Sequence, residues 1–150
     1  MSVAENVPTT PERAWQTSAV ILGMLPVTAT LFALIALWLR GGEPTGDVGI
    51  LTWVWLIQAF AEAVAIVFLW NRAVKPHIPA SGFASDPDLL TLGSLTTGLI
   101  ICMAMVEGLA LFGIIIHLIG GTVILALISV ILVWTGWFVC RPRRSWYGLR

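Results

Sequence analysis

Four long apolar runs separated by short polar breaks dominate the chain. The first covers Trp15 to Leu39 and stops at Arg40-Gly41-Gly42-Glu43-Pro44, and the second covers Val48 to Trp70 and stops at Asn71, Arg72 and Lys75. The third runs from Leu89 to Ile119 after a turn-rich stretch, and the fourth from Thr122 to Cys140 before Arg141-Pro142-Arg143-Arg144. A helix of about 20 apolar residues crosses the roughly 30 Å of bilayer hydrocarbon, so each run predicts one spanning helix. Only Gly120-Gly121 separates the last two, which predicts a tight turn and a helical hairpin. The expected fold is an all-α integral membrane protein with four transmembrane helices arranged as two antiparallel hairpins. Residues 15–140 form the transmembrane domain, between a polar segment (1–14) and a basic cytoplasmic tail (141–150). Pro26, close to Gly23, is placed to kink the first span.

Composition agrees with lipid as the solvent. The chain is 58% hydrophobic and 11% charged, against roughly 25% charged in a soluble domain, and its mean hydropathy is +0.93. The segment before the first run has neither the basic start nor the short apolar core of a cleavable signal peptide, so the first run is expected to stay as a span. Cys102 and Cys140 fall inside apolar runs, without the spacing of a disulfide framework or a metal site.

The formal net charge is zero, but the charges are unevenly placed. With four spans, of the eight Lys and Arg all but Arg40 lie on the side of the termini. The excess of basic residues marks the cytoplasmic side, so both termini are expected there. Trp38, Trp53 and Trp55 are then expected at the outer interface, and Trp15, Trp70, Trp134, Trp137 and Trp146 at or near the inner one, the levels that amphipathic rings prefer.

Two acids, Glu62 and Glu107, lie within spans, in similar surroundings: Ala59-Phe60-Ala61-Glu62-Ala63-Val64-Ala65-Ile66 and Ala104-Met105-Val106-Glu107-Gly108-Leu109-Ala110-Leu111. Successive spans run in opposite directions, so this is a short inverted pair with both acids near the midplane, where transporters built from such repeats place their sites. An ionised carboxylate is costly there, and an intramembrane acid is a functional candidate by default. Three roles are open: holding the bundle together, handling protons or ions, or binding a substrate. Gln58, one turn before Glu62, is the candidate hydrogen-bond partner. The small-residue pairs Ala59/Ala63, Ala61/Ala65 and Ala104/Gly108 allow close helix contact and predict packing of the second and third spans on each other or on a partner.

The segment Met103-Ala104-Met105-Val106-Glu107-Gly108-Leu109-Ala110-Leu111-Phe112-Gly113 resembles the ion-binding helix of rotary ATP synthase c-subunits, the proteolipids. The resemblance implies a proton or sodium carrier at Glu107, with a lesser counterpart at Glu62. It covers these short segments and not the whole chain. The second span has no glycine between Leu51 and Trp70, the Arg-Gln-Pro loop signature is missing, and the fourth span carries no acid. These departures point to a helix pair of this kind adapted to another role.

His117, near the outer end of the third span, is a candidate ligand for haem or a chlorin magnesium, or a quinone contact; an interfacial hydrogen-bonding histidine is the other reading. No catalytic residues, metal site or cofactor are expected, and no nucleic-acid partner. The expectation is a non-catalytic accessory subunit of a larger respiratory or photosynthetic membrane complex. A proton- or ion-translocating protein using Glu62 and Glu107 is the alternative. The partners are the lipid bilayer and other membrane subunits, and the place is the cytoplasmic membrane of a bacterium.

Overall fold

A computed structural model describes residues 10–40, 47–80 and 88–149. Its four long helices are α1 (Pro11–Arg40), α2 (Gly49–Leu69), α3 (Leu89–Leu118) and α4 (Val123–Cys140), each long and apolar enough to cross a membrane. No strand occurs among the described residues.

Local chemistry sets the helix ends. The Arg13 N–H donates to Thr10 Oγ1 at 3.3 Å, Pro11 holds the first helical position and Glu12 lies in the first turn. A hydroxyl cap, a proline and an acid at those places start a helix, so α1 begins four residues before the apolar run does. After Leu69 the chain of α2 continues through a π turn (Trp70–Val74) and a 3₁₀ turn (Lys75–His77). α3 ends where Gly121 N–H donates to the Ile116 carbonyl at 2.8 Å and Gly120 N–H to that of His117 at 3.3 Å. Gly120 has φ 139°, and this two-bond reversal is the glycine-dependent C-terminal motif. The tight Gly-Gly turn expected from the sequence is therefore present, and α3 and α4 pack as a hairpin.

The first expected hairpin is not a packed pair. α3 is the central helix and touches all the others, α1 also touches α4, and α2 packs against α3 rather than α1. Some 44% of α3's apolar stretch is buried within the bundle, against 6% for that of α2. The cause lies in the buried faces. α1 turns Ala14, Ser18, Leu22, Pro26, Ala29, Ala33 and Ala36 inward, and small residues let its backbone approach α3 and α4 closely. The one buried residue of α2 is Trp55, whose indole Nε1 donates to the Leu109 carbonyl of α3 at 3.0 Å. Gly113 makes room for it: a Cβ there would meet the indole nitrogen at 3.1 Å and collide with Ser129 Oγ. Gly98 does the same at the other end of the contact, where a Cβ would lie 2.9 Å from Val74. Trp55, expected at an interface, is thus the peg that fixes α2, while Trp38 and Trp53 are 81% and 68% exposed.

Candidate functional site

Glu62 lies on the face of α2 that meets α3. Trp55, Ala59, Ile66 and Leu69 pack into the core, and Glu62 falls between them at helical spacing. The Gln58 Nε2 donates to Glu62 Oε1 at 2.8 Å, while Glu62 Oε2 is buried without a hydrogen-bond partner among the described residues. Gln58 is therefore the partner the spacing predicts.

Glu107 is on the far side of α3. The α3 residues that receive α2 include Gly98, Leu109 and Gly113, and Glu107, two positions before Leu109, is rotated by about 200° at 3.6 residues per turn. It shares a stripe with Thr96 and Ile114, which meet Ser18 and the Ala33/Ala36 pair of α1. It is half-buried and has no hydrogen bond among the described residues. The two acids thus face different seams and form no common midplane pocket.

His117 is fully buried where the ends of α1 and α3 meet. Its Nδ1 lies 3.2 Å from the Gly121 carbonyl oxygen and 3.4 Å from an Arg40 guanidinium nitrogen. Nε2 is buried without a partner among the described residues. The Arg40 guanidinium donates to the His117 carbonyl and, at 2.7 Å, to that of Gly121. A cation close to the carbonyls at a helix C-terminus is favourable. Arg40, the single basic residue of its side in the sequence reading, ties α1 to the α3–α4 turn.

At the opposite end the tail folds back. Trp15 Nε1 donates to the Pro142 carbonyl at 3.2 Å, and the Arg144 guanidinium sits 5.1 Å over the Trp15 ring. A 3₁₀ turn (Arg144–Tyr147) then buries Trp146 and Tyr147. Ser18 Oγ donates to the Ala14 carbonyl at 2.7 Å and accepts from the Tyr147 hydroxyl at 3.1 Å; Thr96 Oγ1 lies 3.0 Å from Ser18 Oγ and 3.1 Å from the Tyr147 oxygen. Ser18 and Tyr147 have each used their proton, so Thr96 donates. The tail is a clasp joining α1 and α3, while Arg141, Arg143 and Arg144 stay exposed.

Among the described residues, no helix lies upon one face of α3. Thr97, Ile101, Ala104, Gly108 and Ile115 are exposed along it. α1 borders this face on one side, and the π and 3₁₀ turns after α2 border it on the other. A Cβ on Gly108 would meet nothing within 4 Å. The Ala104/Gly108 pair therefore takes no part in α2–α3 packing, one of the two contacts expected of it, the other being with a partner.

Among the described residues no group of His, Cys, Asp and Glu is placed to hold a metal. Comparison with protein-family models, characterised proteins and solved structures finds no match to this chain. The class is set by the fold: an all-helical membrane protein with four helices able to span a bilayer.

Proposed function

We propose that this protein is a non-catalytic integral membrane subunit that works by packing its helices against another chain of a larger energy-transducing complex. The observation that carries the reading is the open face of α3 between α1 and α2, centred on Ala104 and Gly108. In lipid, helices associate through close backbone approach, and small residues on a face that the fold itself leaves empty favour a neighbouring helix over fluid chains. The assignment to an energy-transducing complex rests on the resemblance of the α3 segment around Glu107 to proteolipid helices. The placement of basic residues supports cytoplasmic termini, in the cytoplasmic membrane of a bacterium. Isolation in mild detergent tests the proposal: the chain is expected in a discrete assembly with other subunits, from which Gly108→Leu is lost.

A second reading, proton or ion handling, is favoured by one feature, the half-buried Glu107 carboxyl without a hydrogen bond among the described residues. A carrier at Glu107 would act alone, because Glu62 faces the other seam. Glu107→Gln separates the readings, since an accessory role tolerates it and a carrier does not.

A further inference from the structure

At the end of the bundle that holds the tail, a groove of about 590 Å³ lies between the π and 3₁₀ turns after α2 and the first turns of α3. That is the size of a small-molecule site. One wall is Ala73 and His77, and the other runs along α3 from Leu90 to Ile101 past Gly93, Ser94 and Thr97. Eleven helical steps at 1.5 Å each make this wall about 16 Å long, close to the depth of one leaflet, half of the roughly 30 Å hydrocarbon core. Gly93 is open: a Cβ there would meet nothing within 4 Å.

Polar groups lie on both walls of the groove and beside them. Arg72 and Lys75 are exposed on the turns that carry Ala73 and His77. Among the described residues, the side chains of Arg72, Lys75, His77, Ser94 and Thr97 make no hydrogen bond or ion pair. The acids of this end among the described residues are Glu12, in the first turn of α1, and Asp88, exposed at the cap of α3, and neither lines the groove. The groove thus has exposed cations beside the wall of Ala73 and His77, hydroxyls on the facing α3 wall, and apolar residues between them.

We propose that this groove binds one anionic glycerophospholipid of the leaflet at the tail-bearing end. Its phosphate meets Arg72 and Lys75, with His77 as a further hydrogen-bond donor. Its ester carbonyls accept from Ser94 and Thr97, and an acyl chain lies along Gly93 and Ile101. The site adjoins the helix-docking face and shares Thr97 and Ile101 with it, but it lies nearer the tail-bearing end than Ala104 and Gly108.

Native mass spectrometry of the full chain in detergent, titrated with dioleoyl phosphatidylglycerol or dioleoyl phosphatidylcholine, tests this. One phosphatidylglycerol is expected to be retained in preference to phosphatidylcholine. Each of Arg72→Gln and Lys75→Gln should lower that preference about fivefold, the worth of one basic residue at a charged membrane surface. Gly93→Leu should fill the groove and remove the adduct, while Gly108→Leu leaves it intact. Equal retention of the two lipids, or a phosphatidylglycerol adduct indifferent to both the charge variants and Gly93→Leu, overturns the site.

Discussion

Trp55 Nε1 donates to the Leu109 carbonyl at 3.0 Å, and through this bond one buried side chain anchors a whole transmembrane helix. The carbonyl has a second lone pair, so it can accept from the indole as well as from its own helix.

Trp55→Phe should keep most of the packing and lose the hydrogen bond, at a cost of about 0.6 kcal/mol, the average for interhelical hydrogen bonds of a membrane protein, and at most about 1.7 kcal/mol. Trp55→Ala also leaves a cavity and should cost about 3–5 kcal/mol. Unfolding in mixed micelles measures both, and α2 should become accessible to protease before the other helices. Equal stability of the two variants would mean that α2 is held elsewhere.

The tail clasp gives a second expectation. Tyr147→Phe removes the hydroxyl that reaches Ser18 and Thr96 and should cost about 1 kcal/mol. Tyr147→Ala empties a fully buried site and should expose the bonds around Arg143 and Arg144 to trypsin. Cleavage there at the wild-type rate would show that the clasp does not hold in solution.

Arg40 caps the carbonyls of His117 and Gly121 with its guanidinium. Arg40→Leu should cost about 1.5–3 kcal/mol, the worth of hydrogen bonds to a charged group, read as a lower Tm in detergent. Arg40→Lys should recover only part of this, because an ammonium on a flexible stem does not reproduce the planar fork. Full recovery would reduce the role to charge alone.

The spans were legible because long apolar runs and the Gly-Gly break leave little choice in lipid. The four-residue extension of α1 was written in Thr10-Pro11-Glu12, a capping signal that a search for apolar runs passes over. Which helix packs on which was not legible: α1 and α2 are neighbours in sequence, but the small face of α1 and the acceptor for Trp55 both direct packing to α3. At the site, spacing alone identified the Gln58–Glu62 bond. The separation of Glu62 from Glu107 depends on which faces of α3 receive α1 and α2, and a short inverted repeat carries no such information. Tyr147 gave no sign, because a single tyrosine after a basic run looks like an interface anchor until the chain folds back.

Topology can be checked on exposed residues. Arg143→Cys and Asp47→Cys sit at opposite ends of the bundle, whereas Cys102 and Cys140 are buried. In intact cells an impermeant maleimide should label residue 47 and spare residue 143, as the basic residues predict. The reverse pattern would invert the orientation.

The most direct measurement of the central claim places a photo-crosslinking amino acid at Ala104, on the open face of α3, and at Phe138, exposed on α4. Illumination of intact membranes should give a discrete adduct with a different protein chain from position 104 and none from position 138, and Gly108→Leu should abolish it. Lipid adducts alone at position 104, or an adduct with the mass of two copies of this chain, would contradict an accessory subunit docked through that face.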